Sequence, residues 1–204
     1  MIQIIQKQLV AMFLLSITVI DAQFALPTFQ AAHKPHDSNY VLDLNGTNEY
    51  AYYADNSNFE PDNWSIQAWI DPSAVPTNSD KDWIINKLKV YRIGLEYTVS
   101  GVQVTGQIRS GGSYYDANSG DQNFYVTTGG GWYHVVLTFD GTNLVLYVNG
   151  DEKDTNSNSS YSTTNQNSEF SIGRRYDTGT LYYNGRIDEV SFWNSHWGKR
   201  VVFK

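Results

Sequence analysis

Residues Trp132–Gly150, WYHVVLTFDGTNLVLYVNG, constrain the fold more than any other stretch of the chain. Successive side chains of a strand point to opposite faces. On that rule Tyr133, Val135, Leu137 and Phe139 share one face, and Trp132, His134, Val136 and Thr138 share the other. Asp140-Gly141-Thr142-Asn143 then forms a tight turn, because glycine readily takes positive φ. Leu144–Val148 returns antiparallel, and Asn149-Gly150 opens the next turn. Both strands are apolar on both faces, so the hairpin belongs at the centre of a layered β structure.

The rest of the chain repeats this pattern. Strand-like runs occur at Tyr40–Leu44, Tyr50–Tyr53, Ser65–Ile70, Trp83–Lys87, Tyr91–Tyr97, Val102–Arg109, Phe124–Thr127, Glu169–Ile172 and Tyr182–Trp193. β-Branched and aromatic residues fill these runs, and Gly, Asn, Asp and Ser separate them. No stretch carries a helical period. Many short strands at this spacing predict a sandwich or a barrel. Asp154–Asn167, DTNSNSSYSTTNQN, has almost nothing to bury and reads as a long exposed loop.

The first 22 residues read as an export signal. Lys7 and the amino terminus supply positive charge, Leu9–Ile20 is a continuous apolar run, and Ala22 precedes the expected cut. The run falls short of the roughly 20 residues that span a bilayer. The expected organisation is therefore a signal peptide at 1–22, an extended lead-in at 23–38, one domain at 39–197 and a short tail at 198–204. The mature chain is expected outside the cytoplasm, secreted or periplasmic, with no membrane span.

Fourteen Lys and Arg against 21 Asp and Glu leave a net charge of −7. Such a surface repels phosphate backbones, which argues against a nucleic-acid partner. The chain has no cysteine, so disulfides, thiolate metal sites and a cysteine nucleophile are excluded.

Four stretches, in order, resemble the laminin-G-like jelly-roll family, which is related to pentraxins within the concanavalin A-like lectin/glucanase superfamily. They are Leu42–Tyr50 (LDLNGTNEY), Trp64–Pro72 (WSIQAWIDP), the Trp132–Gly150 hairpin and Tyr183–Asn194 (YNGRIDEVSFWN). Ile84-Ile85-Asn86-Lys87 and Phe170-Ser171-Ile172-Gly173 fit between them. The resemblance implies an all-β fold of two antiparallel sheets in a jelly-roll sandwich. It also implies calcium, with Asn45, Gly46, Glu49 and Asp188 as the ligand set. Glu49 and Asn45 stand where relatives often carry Asp, and the cysteine pair of some relatives is missing.

Sugar rings stack on flat aromatic faces, while amides and carboxylates bond their hydroxyls. Gln67 and Trp69 share one face of their run, and Tyr114-Tyr115 and Tyr176-Asp177 sit in loop-like contexts. These six residues are the candidate ligand contacts; packing into the core or over a sheet edge is the competing role for each. A glycoside hydrolase needs two carboxylates flanking one bond. The strand motif Glu-x-Asp-x-x-Glu of related glucanases is absent, and in Gly185–Ser191 the adjacent Asp188 and Glu189 should point to opposite faces. His134, mid-strand among apolar residues, reads as a packed histidine. The expected function is non-catalytic recognition of a glycan or glycosylated surface. The alternative is a protein-adhesion or structural module of a larger assembly, with a polysaccharide hydrolase or lyase as the third reading.

Overall fold

A computed structural model of the chain describes residues 2–4, 41–77, 81–158, 160–161, 166–175 and 181–194. Strands are numbered in chain order. One sheet runs β1 (Ile2–Ile4), β3 (Ala51–Tyr53), β12 (Phe170–Ile172), β5 (Lys81–Lys87), β6 (Tyr91–Thr98), β7 (Gly101–Ser110) and β8 (Ser113–Asn118). The other runs β11 (Asp151–Ser157), β10 (Asn143–Val148), β9 (Tyr133–Phe139), β4 (Trp64–Pro72), β13 (Asn184–Trp193) and β2 (Leu42–Asn45). Late strands β12 and β13 sit between early ones, so long connections cross from sheet to sheet in the manner of a jelly roll. The predicted all-β sandwich is the observed fold.

Alternation builds the core. Trp64, Ile66, Ala68 and Ile70 of β4 face inward with Tyr133, Val135, Leu137 and Phe139 of β9 and with Leu144, Leu146 and Val148 of β10. Tyr91, Ile93 and Leu95 of β6, with Val102, Val104 and Ile108 of β7, close the core from the opposite sheet. Leu137 is fully buried, and Gly106 on β7 leaves room for it, since a Cβ there would overlap Leu137 Cδ1. The Asp140–Asn143 turn forms as expected: Gly141 has φ of 90°, and Asp140 Oδ1 accepts from the backbone N–H groups of Thr142 and Asn143.

Three expectations are corrected. Phe124–Thr127 is not a strand; only Val126 makes an isolated bridge, to Val102. The predicted loop at Asp154–Asn167 begins inside β11, which pairs with β10 along Asp151–Ser157. Its pairing partner supplies the apolar residues, and an edge strand needs only backbone hydrogen bonds on one side. Tyr114 and Tyr115 lie on β8, paired with β7, and not in a loop. Of the first 22 residues, the backbone of Ile2–Ile4 is described and runs antiparallel to Tyr53–Ala51. The remaining leader, the lead-in at 23–38 and the tail at 198–204 lie outside the described residues. Among the described residues no helix is long and apolar enough to cross a membrane.

Candidate functional site

Of the implied calcium ligands, Asn45, Gly46 and Glu49 share one turn, and Asp188 lies apart from them. The chain turns at Asn45–Glu49, where Asn45 Oδ1 accepts from the N–H groups of Thr47 and Asn48, and Glu49 Oε2 accepts from Asn45 N–H at 3.0 Å. Asn45 faces Asn184 across the β2–β13 pairing. Asp188 lies four residues further along β13, roughly 13 Å at the rise of a strand. Glu49 and Asp188 therefore serve separate places. Among the described residues no three His, Cys, Asp or Glu side chains group closely enough to hold a metal ion.

Asp188 and Glu189 are not a simple alternating pair either. A bulge between Asp188 and Ser191 puts Glu189 at φ of 49°. Asp188 Oδ1 accepts from Glu189 N–H, while its buried Oδ2 has no hydrogen-bond partner. Burial raises the Asp188 carboxyl above its ordinary value, opposed by that backbone bond.

Gln67 and Trp69 both face away from the core on the six-stranded sheet. Register places Trp69 between His134 on β9 and Asp188 on β13. Its ring stacks on His134, with centroids 4.9 Å apart, and Gln67 Oε1 lies 3.1 Å from His134 Nε2. His134 is buried as expected, but on the outer face of its sheet. Burial pushes its imidazole down to about 4, so it is neutral at pH 7.

Tyr114 and Tyr115 do not form one site, because neighbours on a strand face opposite ways. Tyr115 turns inward and packs edge-on against Tyr161, centroids 5.1 Å apart. Tyr114 turns outward, where the Arg92 guanidinium lies between it and Trp83, 3.8 and 4.0 Å from the two rings. Tyr176 and Asp177 lie outside the described residues.

Among the described residues a cleft of about 490 Å³ opens at the rim of the sandwich. Gly46 and Thr47 form one wall, Ala74–Thr77 another, and Asp82, Leu181, Tyr182 and Asn184 complete it. Backbone bonds hold these segments together: Ser73 and Ala74 N–H groups donate to Asn184 C=O, and Trp83 N–H donates to Leu181 C=O. Gly46 must be glycine, since φ is +70° and a Cβ would come 2.6 Å from Asn184 Cβ. Leu181 also takes positive φ, 61°, an uncommon state for a bulky residue and one that clusters at functional sites.

Aromatic rings continue from the cleft. Tyr182 lies 6.2 Å from Tyr50, and Tyr50 lies 6.1 Å from Tyr52, centroid to centroid. The Arg174 guanidinium sits 3.4 Å above Tyr50 and donates to Glu169 at 2.7 Å and to the Tyr182 hydroxyl. The sequence shows Tyr182 as an aromatic but not this assembly, whose members lie up to 138 positions apart in the chain. Positive φ at Gly46, Gly173 and Leu181 marks its corners.

This arrangement, two antiparallel sheets packed face to face with a cleft at one rim, is that of the concanavalin A-like jelly rolls. The chain belongs to their laminin-G-like family, described as the concanavalin A-like lectin/glucanases superfamily, whose model matches residues 45–198. Comparison with curated proteins gives no match. Among solved structures it is similar to domain 4 of an extracellular arabinanase from Geobacillus stearothermophilus, in complex with arabinotriose. That match has 19% identity over 80% of this chain and 74% of that one, with a TM-score of 0.61. A SAP-like pentraxin from Limulus polyphemus matches at 15% identity over 70% and 69%, TM-score 0.54. The binding domain of Botulinum neurotoxin DC, in complex with SialylT, matches at 16% over 76% and 38%, TM-score 0.56. At these identities the likeness is one of fold.

Proposed function

We propose that the protein is an exported recognition module that binds a glycan in the rim cleft without cleaving it. The observation that carries this reading is the cleft itself, about 490 Å³ with Tyr182 beside Thr47, Thr77, Asp82 and Asn184. A ring face next to a few polar groups is the chemistry that sugars require. The similar folds solved with arabinotriose and with SialylT add support of the fold-level kind. Export is supported by the charged and apolar pattern of residues 1–22.

The carboxylates support binding rather than hydrolysis. Among the described residues lining the cleft Asp82 is the one carboxylate, whereas glycoside hydrolysis uses two, roughly 5–10 Å apart. A glycan array probed with wild type and Tyr182→Ala tests the proposal. Wild type is expected to retain defined glycans and the variant to lose them. Retention of a protein partner alone, with no glycan bound, would instead support the adhesion reading, and turnover of a bound polysaccharide would overturn the non-catalytic one.

A further inference from the structure

Resting on the glycan reading above, we infer that the site takes a neutral sugar chain of several units, laid from the cleft across Tyr182, Tyr50 and Tyr52. A pocket for a single sugar needs one aromatic platform. Here three rings follow one another at 6.2 and 6.1 Å, leading out of the cleft onto β3. Tyr50, Tyr52 and Tyr182 are all half-buried, each presenting part of its ring at the surface. Alternation on β3 explains the line: Ala51 turns into the core, so Tyr50 and Tyr52 fall on the same outer side.

The middle of the line is polar and rigid. Arg174 sits over Tyr50 and is tied to Glu169 and Tyr182, which holds its planar set of donors in place before any ligand arrives. Preorganised donors beside ring faces suit hydroxyls along a chain, at low ordering cost.

Charge selects against acidic sugars. Arg174, the cation over Tyr50, is offset by Glu169 at 2.7 Å, and the cleft adds the carboxylate of Asp82. The chain as a whole carries −7. A uronate or sialate would meet net negative potential on approach and in place.

The test is titration calorimetry of the full chain against oligosaccharide ladders of one to six units: arabinan, xylan, β-glucan and galactan as neutral probes, polygalacturonate as the acidic one. Affinity for at least one neutral ladder should rise with length, about tenfold for each further ring engaged. Tyr52→Ala should remove the gain of the longer members and leave the shortest binder unchanged, while Tyr52→Phe keeps the gain. Tyr182→Ala should weaken every member. Length-independent binding, an unaffected Tyr52→Ala, or preference for polygalacturonate overturns this inference and leaves glycan recognition standing. Absence of binding to every ladder, with wild type folded, overturns both.

Discussion

The ammonium of Lys87 lies 2.8 Å from the carboxylate of Glu60, with side-chain exposures of 0% and 3%. Asp55, at 2.5 Å, is a second anionic partner, and the C=O groups of Gln166 and Ser168 accept from the same ammonium. One side chain of β5 thereby fastens the segment after β3 and the segment before β12. Removing one partner of a buried pair leaves an uncompensated charge. Lys87→Met is expected to cost about 3–5 kcal/mol in equilibrium denaturation at pH 7. A cost below about 1 kcal/mol would show that the cluster behaves as an exposed pair. The hydrogen bond from Lys87 holds the Asp55 carboxyl below its ordinary value. Its contribution to stability is thus complete above pH 3.8 and disappears as pH falls through the lower, folded value.

His134 supplies a separate acid limb. Its folded value is about 4 against 6.5 for the free side chain, so the unfolded chain binds the proton first as pH falls. Stability should drop as pH is lowered from 6.5 towards 4, by roughly 3 kcal/mol in total at about 1.4 kcal/mol per unit. His134→Gln should flatten urea-denaturation free energies across that window. If the slope survives the substitution, another group causes it.

Asp188 is expected to act in the opposite direction. Burial raises its carboxyl, so ionisation at neutral pH opposes folding and protonation relieves the strain as pH falls. Asp188→Asn keeps an acceptor for Glu189 N–H and removes the charge, so its melting temperature at pH 7 should exceed wild type. The rise should be equal in calcium and in chelator, because Glu49 lies in the turn after β2, bonded to Asn45 opposite Asn184, while Asp188 is four residues further along β13. A wild-type midpoint that climbs with calcium, and a variant that has lost that climb, would return the ion to Asp188.

The central hairpin and the polar edge beside it differ in weight. Leu137 is fully buried against Gly106, so Leu137→Ala should cost about 2–5 kcal/mol. Asp154 on β11 accepts from Asn118 N–H at 3.0 Å and joins the two sheets at their edge. Asp154→Ala should cost about 1–2 kcal/mol, the range for a hydrogen bond to a charged group in a partly exposed place. Chemical denaturation of the two variants gives the ranking; equal losses would mean that β11 is as central as β9.

Gly94 connects stability to the site. A Cβ there would come 2.5 Å from the Asp82 C=O and 2.8 Å from Trp83 Cε3. Asp82 lines the cleft and Trp83 bridges Tyr182. Gly94→Ala should therefore destabilise by about 1–3 kcal/mol and weaken glycan binding as well. Calorimetric melting beside the glycan titration checks both; lost stability with unchanged binding would uncouple the sheet from the cleft.

The two sheets and their central strands were legible in the sequence because alternation is local. Tyr133, Val135, Leu137 and Phe139 announce an inward face without reference to any partner, and Asp140-Gly141 announces the turn. What the sequence hid were β8 and β11, whose polar side chains carry no period and which exist as strands only because β7 and β10 offer backbone to pair with. It also hid the bulge at Asp188, since one extra residue in a ladder changes which side chains share a face and leaves no mark in composition. The rim cleft belongs wholly to the tertiary structure. Thr47, Thr77, Asp82 and Tyr182 acquire a common purpose only when β13 pairs between β4 and β2, and that pairing is decided by burial across the sandwich and not by any neighbour in the chain.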